Sequence, residues 1–259
     1  MIPKIIHYCW FGGNPLPSLA LKCIKSWKKY CPDYEIIEWN ESNYDIASAP
    51  LYVQQAYEEK QWAFVSDYAR LQIVYENGGI YLDIDVEILR SLDAFLVHEA
   101  YFGIEAEEYG VFVATGLGFG AVKGSPVVKA MLDCYQDIPF ILGDGSYDKK
   151  PCPRRNTEAI VPFGFIAKDE NQILPENIAI YSSTYFCPMS FTDGILHKTS
   201  NTYSIHHFNG AWRTKEQAEK RKADWVTARK RHIKHAPYRF ARKVLGTELY
   251  ERIRIRLKR

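Results

Sequence analysis

The stretch SDYARLQIVYENGGIYLDIDVEIL, Ser66 to Leu89, constrains the fold more than any other part of the chain. It opens as an apolar-rich helix, read as beginning at Ser66, and the Gly78-Gly79 pair supplies the left-handed residues that stop it. A short apolar strand follows. A helix, a tight turn and a buried strand in immediate succession belong to an α/β domain. Yet Asp83 and Asp85 interrupt the apolar run. In an extended strand side chains alternate, so Tyr81, Asp83, Asp85 and Glu87 share one face while Ile80, Leu82, Ile84 and Val86 share the other. Residues two apart lie about 6.5–7 Å apart along a strand, near enough to serve one ion directly or through water. The plain alternative is a half-exposed strand with a solvated acidic face. Against it, no Lys or Arg stands in the strand before Arg90. Two unpaired carboxylates repel and are costly to bury, so a divalent cation is their natural partner. Oxygen ligands suit Mg2+ or Mn2+ better than zinc.

The flanking segments give the strand its context. Ile2 to Trp10 reads as an apolar strand closed by Gly12-Gly13, Leu19 to Tyr30 as a helix, Tyr34 to Trp39 as a second strand, and residues 52–60 as a further helix. This alternation favours an α/β fold with a mainly parallel central sheet. Later signals are shorter: a Gly-rich strand and a helix from about Pro126, a loop over 143–158, one or two strands within 171–188, and a strand through Ser204 to His207. Asp67 and Arg70, three apart on the apolar helix, face the same way, where Asp67 can accept from hydroxyls and Arg70 can fork onto phosphate or sugar oxygens. His206 and His207 end their strand together, and only one can point inward with its pleat.

Composition enters through what it excludes. The six cysteines form no C-x-x-C pair, which argues against a zinc knuckle or disulfide scaffold and fits reduced thiols. No stretch near 18 residues is uninterruptedly apolar, and no leader pattern opens the chain, so a cytoplasmic location is expected. The net charge of +2 conceals a boundary: residues 1–213 hold 17 Lys and Arg against 26 Asp and Glu, residues 214–259 hold 16 against 5. The chain is therefore expected to divide into a catalytic domain, 1–213, and a basic helical tail, 214–259. In that tail Leu249, Tyr250, Ile253 and Leu257 fall on one helical face amid Arg252, Arg254, Arg256, Lys258 and Arg259. Such a face fits an anchor on an anionic membrane surface; a basic helix packed on the acidic domain is the alternative.

Three blocks in order, IPKIIHYCWFGG, SDYARLQIVYENGGIYLDIDVEIL and YSIHHFNGAW, resemble glycosyltransferase family 32, from about Ile2 to Trp212. The segment VATGLGFGAVKGSP is similar to the branch of that family acting in bacterial capsular polysaccharide synthesis. The resemblance implies a GT-A fold, a nucleotide-sugar donor, a divalent metal (Mn2+ or Mg2+) and retention of anomeric configuration. By position, Asp83 and Asp85 match the D-x-D metal motif, with His206 the histidine before the terminal tryptophan. Asp67 and Arg70 match residues holding the donor sugar, Trp10 an aromatic near the base, and Tyr81 a neighbour of the diphosphate. Trp212 is expected to close over the β-phosphate, and Asn156 or Asp144 to contact the sugar's reacting face. The expected donor is a UDP-hexose of the galactose or N-acetylgalactosamine type, with GDP-mannose the alternative. The acceptor is expected to be a lipid-linked saccharide.

Two rival functions are weaker on the residues themselves. A phosphohydrolase built on D-x-D needs the pair after the first strand and a small hydroxyl residue behind it; here several elements precede it and Val86-Glu87 follow. A nucleic-acid binder could use the basic tail, but the acidic residues 1–213 repel a polyanion, so no nucleic-acid partner is expected.

Overall fold

A computed structural model describes residues 1–210, 216–217, 219–231 and 246. The chain divides into two compact units, Met1–Ser190 with Leu196–Trp212, and Phe191–Ile195 with Arg213–Arg259.

The first unit starts with a strand, β1 (Ile5–Cys9), a helix, α1 (Ser18–Tyr30), and a second strand, β2 (Glu35–Trp39). Helices α2 (Leu51–Glu58) and α3 (Trp62–Asn77) come next, then β3 (Gly79–Tyr81) and β4 (Val86–Ile88). The hairpin β5 (Ala100–Glu107) and β6 (Gly110–Val113) precedes β7 (Phe119–Ala121), α4 (Pro126–Asp133) and α5 (Cys152–Ile160). The unit ends through β8 (Gln172–Leu174), β9 (Ile178–Tyr181), α6 (Ser183–Phe186) and β10 (Ser204–His206).

The main sheet runs β2-β1-β3-β7-β5-β9-β8, with β6 paired to β5. β1 lies parallel to both β2 and β3, and β5 parallel to β9, whereas β7 is antiparallel to β3 and to β5, and β8 to β9. Five strands of that path therefore point one way and only β7 and β8 oppose them. This is the mainly parallel α/β architecture expected of a GT-A fold. From β1 the chain crosses first to β2 on one side and later to β3 on the other. The crevice at the carboxyl ends of β1 and β3 is thus a topological switch point, where α/β sheets take their ligands.

Helix α3 is buried over most of its surface, with Val65, Tyr68, Ala69, Leu71, Ile73 and Val74 inside the core beside Phe102, Phe119 and Met131. It begins at Trp62 rather than Ser66, because Trp62 and Phe64 already pack on that core. It ends where Gly78, at φ 69°, returns its N–H to the Val74 carbonyl at 2.8 Å.

Two expectations change. The D-x-D segment is not one strand: β3 ends at Tyr81, and Val86 N–H reaches back to the Asp83 carbonyl at 3.0 Å, closing a turn before β4. The reason is pairing. β3 is held by β1 and β7, while β4 leaves the main sheet to pair with β10. The stretch 143–158 is loop only in its first part, since α5 starts at Cys152, just behind Pro151.

The second unit holds helical residues 219–231. Within it, Arg221 stacks on the Phe191 ring at 4.0 Å, and Trp225 Nε1 donates to the Phe191 carbonyl at 3.0 Å. Arg229 donates to the carbonyls of Asp193 and Gly194, each at 2.8 Å. The apolar face of Leu249, Tyr250, Ile253 and Leu257 lies outside the described residues. Among the described residues no helix is long and apolar enough to cross a membrane.

Candidate active site

The turn after β3 presents the two aspartates at the carboxyl edge of the sheet, and β10 brings the third member. Because β10 pairs antiparallel with β4, His206 stands opposite Val86. Its Nε2 lies 3.2 Å from Asp85 Oδ1 and 3.6 Å from Asp83 Oδ2. His207 points away, to Glu87 at 2.9 Å. The pleat thus resolves which histidine joins the aspartates: it is His206. Asp85 is further fixed by the Asn209 N–H, which donates to its Oδ2 at 2.7 Å, and by the His207 N–H on its carbonyl.

Arg70 ties this cluster to α3. Its guanidinium pairs with Asp67 at 2.9 Å and Asp83 at 3.3 Å, and its Nε donates to the Ser66 carbonyl at 2.9 Å. The same group lies over the Tyr81 ring, 5.0 Å from its centre. Asp67 and Arg70 are therefore not a surface ion pair, since Arg70 is buried and Asp67 largely so.

The charges shape one another. Burial pushes the Asp67 carboxyl up to about 6, with Arg70 opposing and Asp83 reinforcing the rise. Burial also acts against ionised Asp85, but the His206 charge and hydrogen bond and the Asn209 N–H outweigh it and hold the carboxyl well below the usual range. Burial lowers His206 as well; Asp85 and Asp83 overcome this and carry the imidazole up to about 10. Burial and the Asp83 carboxylate keep the Tyr81 phenol protonated. In the protein alone, His206 is thus the cation between two carboxylates.

These three side chains fit a divalent ion. One ligand atom from each of Asp83, Asp85 and His206 lies within 4.8 Å of the others, two oxygens and one imidazole nitrogen. Two carboxylates facing one proton-bearing imidazole are a site that a cation can enter by displacing that proton.

A second wall comes from the segment after β6 and from α5, which carries Asn156, the residue expected at the sugar's reacting face. Thr115 and Gly116 lead from β6 toward β7, and a Cβ placed on Gly116 would sit 2.6 Å from Asp83 Oδ2 and 3.1 Å from Arg70 Nη1. Asn156 on α5 donates its amide to Thr115 Oγ1 at 3.0 Å and to Cys152 Sγ at 3.2 Å. Its Oδ1 is buried without a hydrogen-bond partner. Cys152 in turn neighbours Asp67, and burial pushes its thiol up to about 12. Thr115, Gly116, Cys152 and Asn209 were not singled out in the sequence, although Thr115-Gly116 lies within VATGLGFGAVKGSP and Asn209 within YSIHHFNGAW; Cys152 carried no signal.

Trp10 stands at the same edge. The register His7 to Tyr81 places it level with the D-x-D turn, half-buried, with its indole N–H on the Asn14 carbonyl at 2.5 Å. Asp144 is exposed and occupied in its own turn, accepting from the Ser146 N–H and hydroxyl at 2.9 and 2.7 Å. Its short side chain caps that turn because Gly145 and Ser146 follow it. Trp212 lies outside the described residues.

The fold and site together define a ligand crevice with an acidic metal-type centre, and the comparisons say of which class. Residues 17–102 match the family described as the glycosyltransferase sugar-binding region containing the DXD motif, so this chain carries such a region. It is 35% identical over 104 residues to inositol phosphoceramide mannosyltransferase 3 of Schizosaccharomyces pombe, covering 39% of this chain and 29% of that protein. It is 32% identical over 105 residues to an uncharacterized glycosyltransferase of Acanthamoeba polyphaga mimivirus, covering 37% and 40%. Among solved structures, the PaToxG glycosyltransferase superposes with a TM-score of 0.49 at 19% identity, over 62% of this chain and 69% of that one. The chain spans less than half the length of these curated relatives.

Proposed function

We propose that this protein is a metal-dependent, retaining hexosyltransferase that moves a sugar from a nucleotide sugar to a saccharide acceptor. The observation that carries the reading is the convergence of Asp83, Asp85 and His206 beside the Asp67–Arg70 pair at the β1–β3 switch point. Asp83, Asp85 and His206 would hold the ion, Mn2+ or Mg2+. Bound there, it supplies positive charge to the oxygens of the departing diphosphate.

The chain's own residues divide the remaining work. Arg70, already held by Ser66 and Asp67, offers N–H groups to the donor's sugar or phosphate oxygens, and Asp67 accepts from sugar hydroxyls. Trp10 presents a ring for the base, and Tyr81 donates beside the diphosphate. Asn156, its amide N–H groups already engaged, offers Oδ1 as an acceptor on the reacting side of the sugar. In the transfer the anomeric C–O bond breaks and its electron pair leaves with the phosphate. The acceptor oxygen bonds to the anomeric carbon, and its proton passes to the leaving phosphate on the same face. No strong protein base is needed for that step.

The donor is read as a UDP-hexose of the galactose or N-acetylgalactosamine type. A GDP-mannose donor is the second reading, supported by the name of the Schizosaccharomyces pombe relative. That name also supports a lipid-borne acceptor. A role in capsular or other bacterial surface polysaccharide at the inner face of the membrane rests instead on the resemblance of VATGLGFGAVKGSP and on the basic tail. One experiment tests the core: thermal shifts with UDP-, GDP- and CMP-sugars, with and without Mn2+, on wild type and Asp85→Asn. A ligand at about 100 times its Kd raises stability by about 2.7 kcal/mol, so a metal-dependent shift lost in Asp85→Asn is expected. Equal shifts in both proteins refute the metal site. An α-configured anomeric proton in the product of an α-linked donor checks retention.

A further inference from the structure

Helix α5 is nine residues long, too short to hold itself in water, and its N-cap position is Pro151, which offers no side-chain acceptor to the first turn. Its neighbours must therefore fix where it starts. Cys152, Arg155, Asn156 and Ala159 are buried along it. Cys152 and Asn156 touch Thr115, and the Cys152 thiol neighbours the Asp67 carboxylate. Arg155, 6% exposed, takes a different set of partners. Its guanidinium pairs with one oxygen of Asp148, whose other oxygen accepts the Lys150 N–H at 3.0 Å. It also lies over the rings of Tyr52 and Tyr135, 5.5 and 5.2 Å from their centres. Those two rings meet edge to face, and Tyr135 meets Tyr68, the residue after Asp67 on α3, in the same way.

We propose that Arg155 is a positioning residue of the transfer: without touching the donor, it holds Cys152 and Asn156 of α5 against Asp67 and Thr115. The inference rests on the transferase reading above. Packing alone does not call for a cation here. Taking a charge out of water is costly, and apolar residues of similar volume often replace a buried ion pair with no loss of stability. What a guanidinium adds is direction, since one planar group engages a carboxylate and stacks on ring faces at once. The segment leading into α5, the Tyr52 ring of α2 and the Tyr135 ring behind α4 are thereby tied to one point of α5. That point is three residues from Cys152 and adjacent to Asn156. The Arg155 charge also reaches Asp67, where it works with Arg70 against the effect of burial. Asn156 depends most on this hold. Its amide N–H groups are engaged by Thr115 and Cys152, and its buried Oδ1 has no hydrogen-bond partner among the described residues. An acceptor offered in that way works at one position only, and a shift near 1 Å at a reacting centre costs about 100-fold in rate.

The test reads α5 and turnover separately, on the full chain. Iodoacetamide labelling followed by peptide mass spectrometry reports Cys152 against Cys23, which is buried on α1. Arg155→Met is expected to raise the labelling rate of Cys152 about tenfold or more and to leave Cys23 protected, with Arg155→Lys close to wild type. Asp148→Asn removes the hold from its other end and should show the same pattern. Mn2+-dependent hydrolysis of UDP-galactose and GDP-mannose is then followed. On whichever sugar wild type turns over, Arg155→Met should lower kcat about tenfold or more with KM within about twofold. In an Asn156→Ala background it should cost nothing further. Unchanged labelling of Cys152, equal unmasking of Cys23, an unchanged kcat, or the full loss repeated in the Asn156→Ala chain each overturns the proposal. If wild type hydrolyses neither sugar while Arg155→Met unmasks Cys152 alone, the transferase reading fails and Arg155 keeps only its hold on α5.

Discussion

Arg70 is the residue on which the charges of the crevice balance. It touches Asp67, Asp83 and the Tyr81 ring at once, and Gly116 approaches so closely that no side chain fits between. Gly116→Ala should therefore act on the site rather than on the fold. The new methyl must displace Asp83 or Arg70, whereas Gly116 itself is only partly buried. The expected outcome is a loss of Mn2+ affinity of about tenfold or more, measured by titration calorimetry, with a melting temperature near that of wild type. Unchanged Mn2+ binding would mean that Asp83 has room to move and that Gly116 has no part in shaping the centre. Asp67→Ala tests the other side of Arg70. It should weaken a nucleotide sugar far more than the bare nucleotide diphosphate in competition binding; equal losses would make the pair structural.

At the scale of elements, β1, β2 and β3 are locked by His7. Trp39 Nε1 donates to its Nδ1 at 3.1 Å, and its Nε2 donates to the Gly78 carbonyl at 2.9 Å, so the neutral ring is fully satisfied. Burial holds the imidazole below its ordinary value of 6.5, with the Gly78 bond opposing. Below that pH the unfolded chain takes up a proton that the native ring refuses. The contribution is complete above about pH 6.5 and is lost as pH falls from there through the native value. His206 has the opposite sign, its imidazole being raised, so its contribution is present below 6.5 and lost as pH climbs toward about 10. Urea midpoints at pH 7.5, 6.5 and 5.5 should fall more steeply for wild type than for His7→Gln, which does not titrate. Parallel slopes would remove His7 as the cause. The elements also show why β5 and β6 escaped sequence reading. Their apolar face alternates weakly, and Glu105 and Glu107 look like an exposed loop until the register pairs them with Phe112 and Gly110.

For the whole molecule, we propose that the basic segment serves as a surface anchor. In its compact unit Arg221, Trp225 and Arg229 grip residues 191–195, while Glu219, Lys220, Lys222 and Lys230 are outward. Each basic residue near an anionic leaflet contributes about 1 kcal/mol, so the full chain should pellet with phosphatidylglycerol vesicles at low salt and release at high salt. A chain ending near Arg213 should stay in the supernatant. Vesicles that leave the full chain in solution would favour the packed-helix alternative.

Local chemistry determined the parts of this protein that sit within one segment. The Gly78 stop, the apolar helix with Asp67 and Arg70 one turn apart, and the paired Asp83 and Asp85 are set by backbone freedom and helical period. Spacing alone made these legible, as it did the α/β order of the first elements. Tertiary structure decided whatever depends on pairing between distant segments. The antiparallel register of β4 and β10 chose His206 over His207, the departure of β4 from the sheet turned a strand into a turn, and packing of α5 against Thr115 brought Asn156 beside Asp67's neighbour Cys152. Those contacts rest on backbone N–H groups, missing Cβ atoms and buried neighbours, none of which leaves a pattern along a chain until the fold brings the segments together.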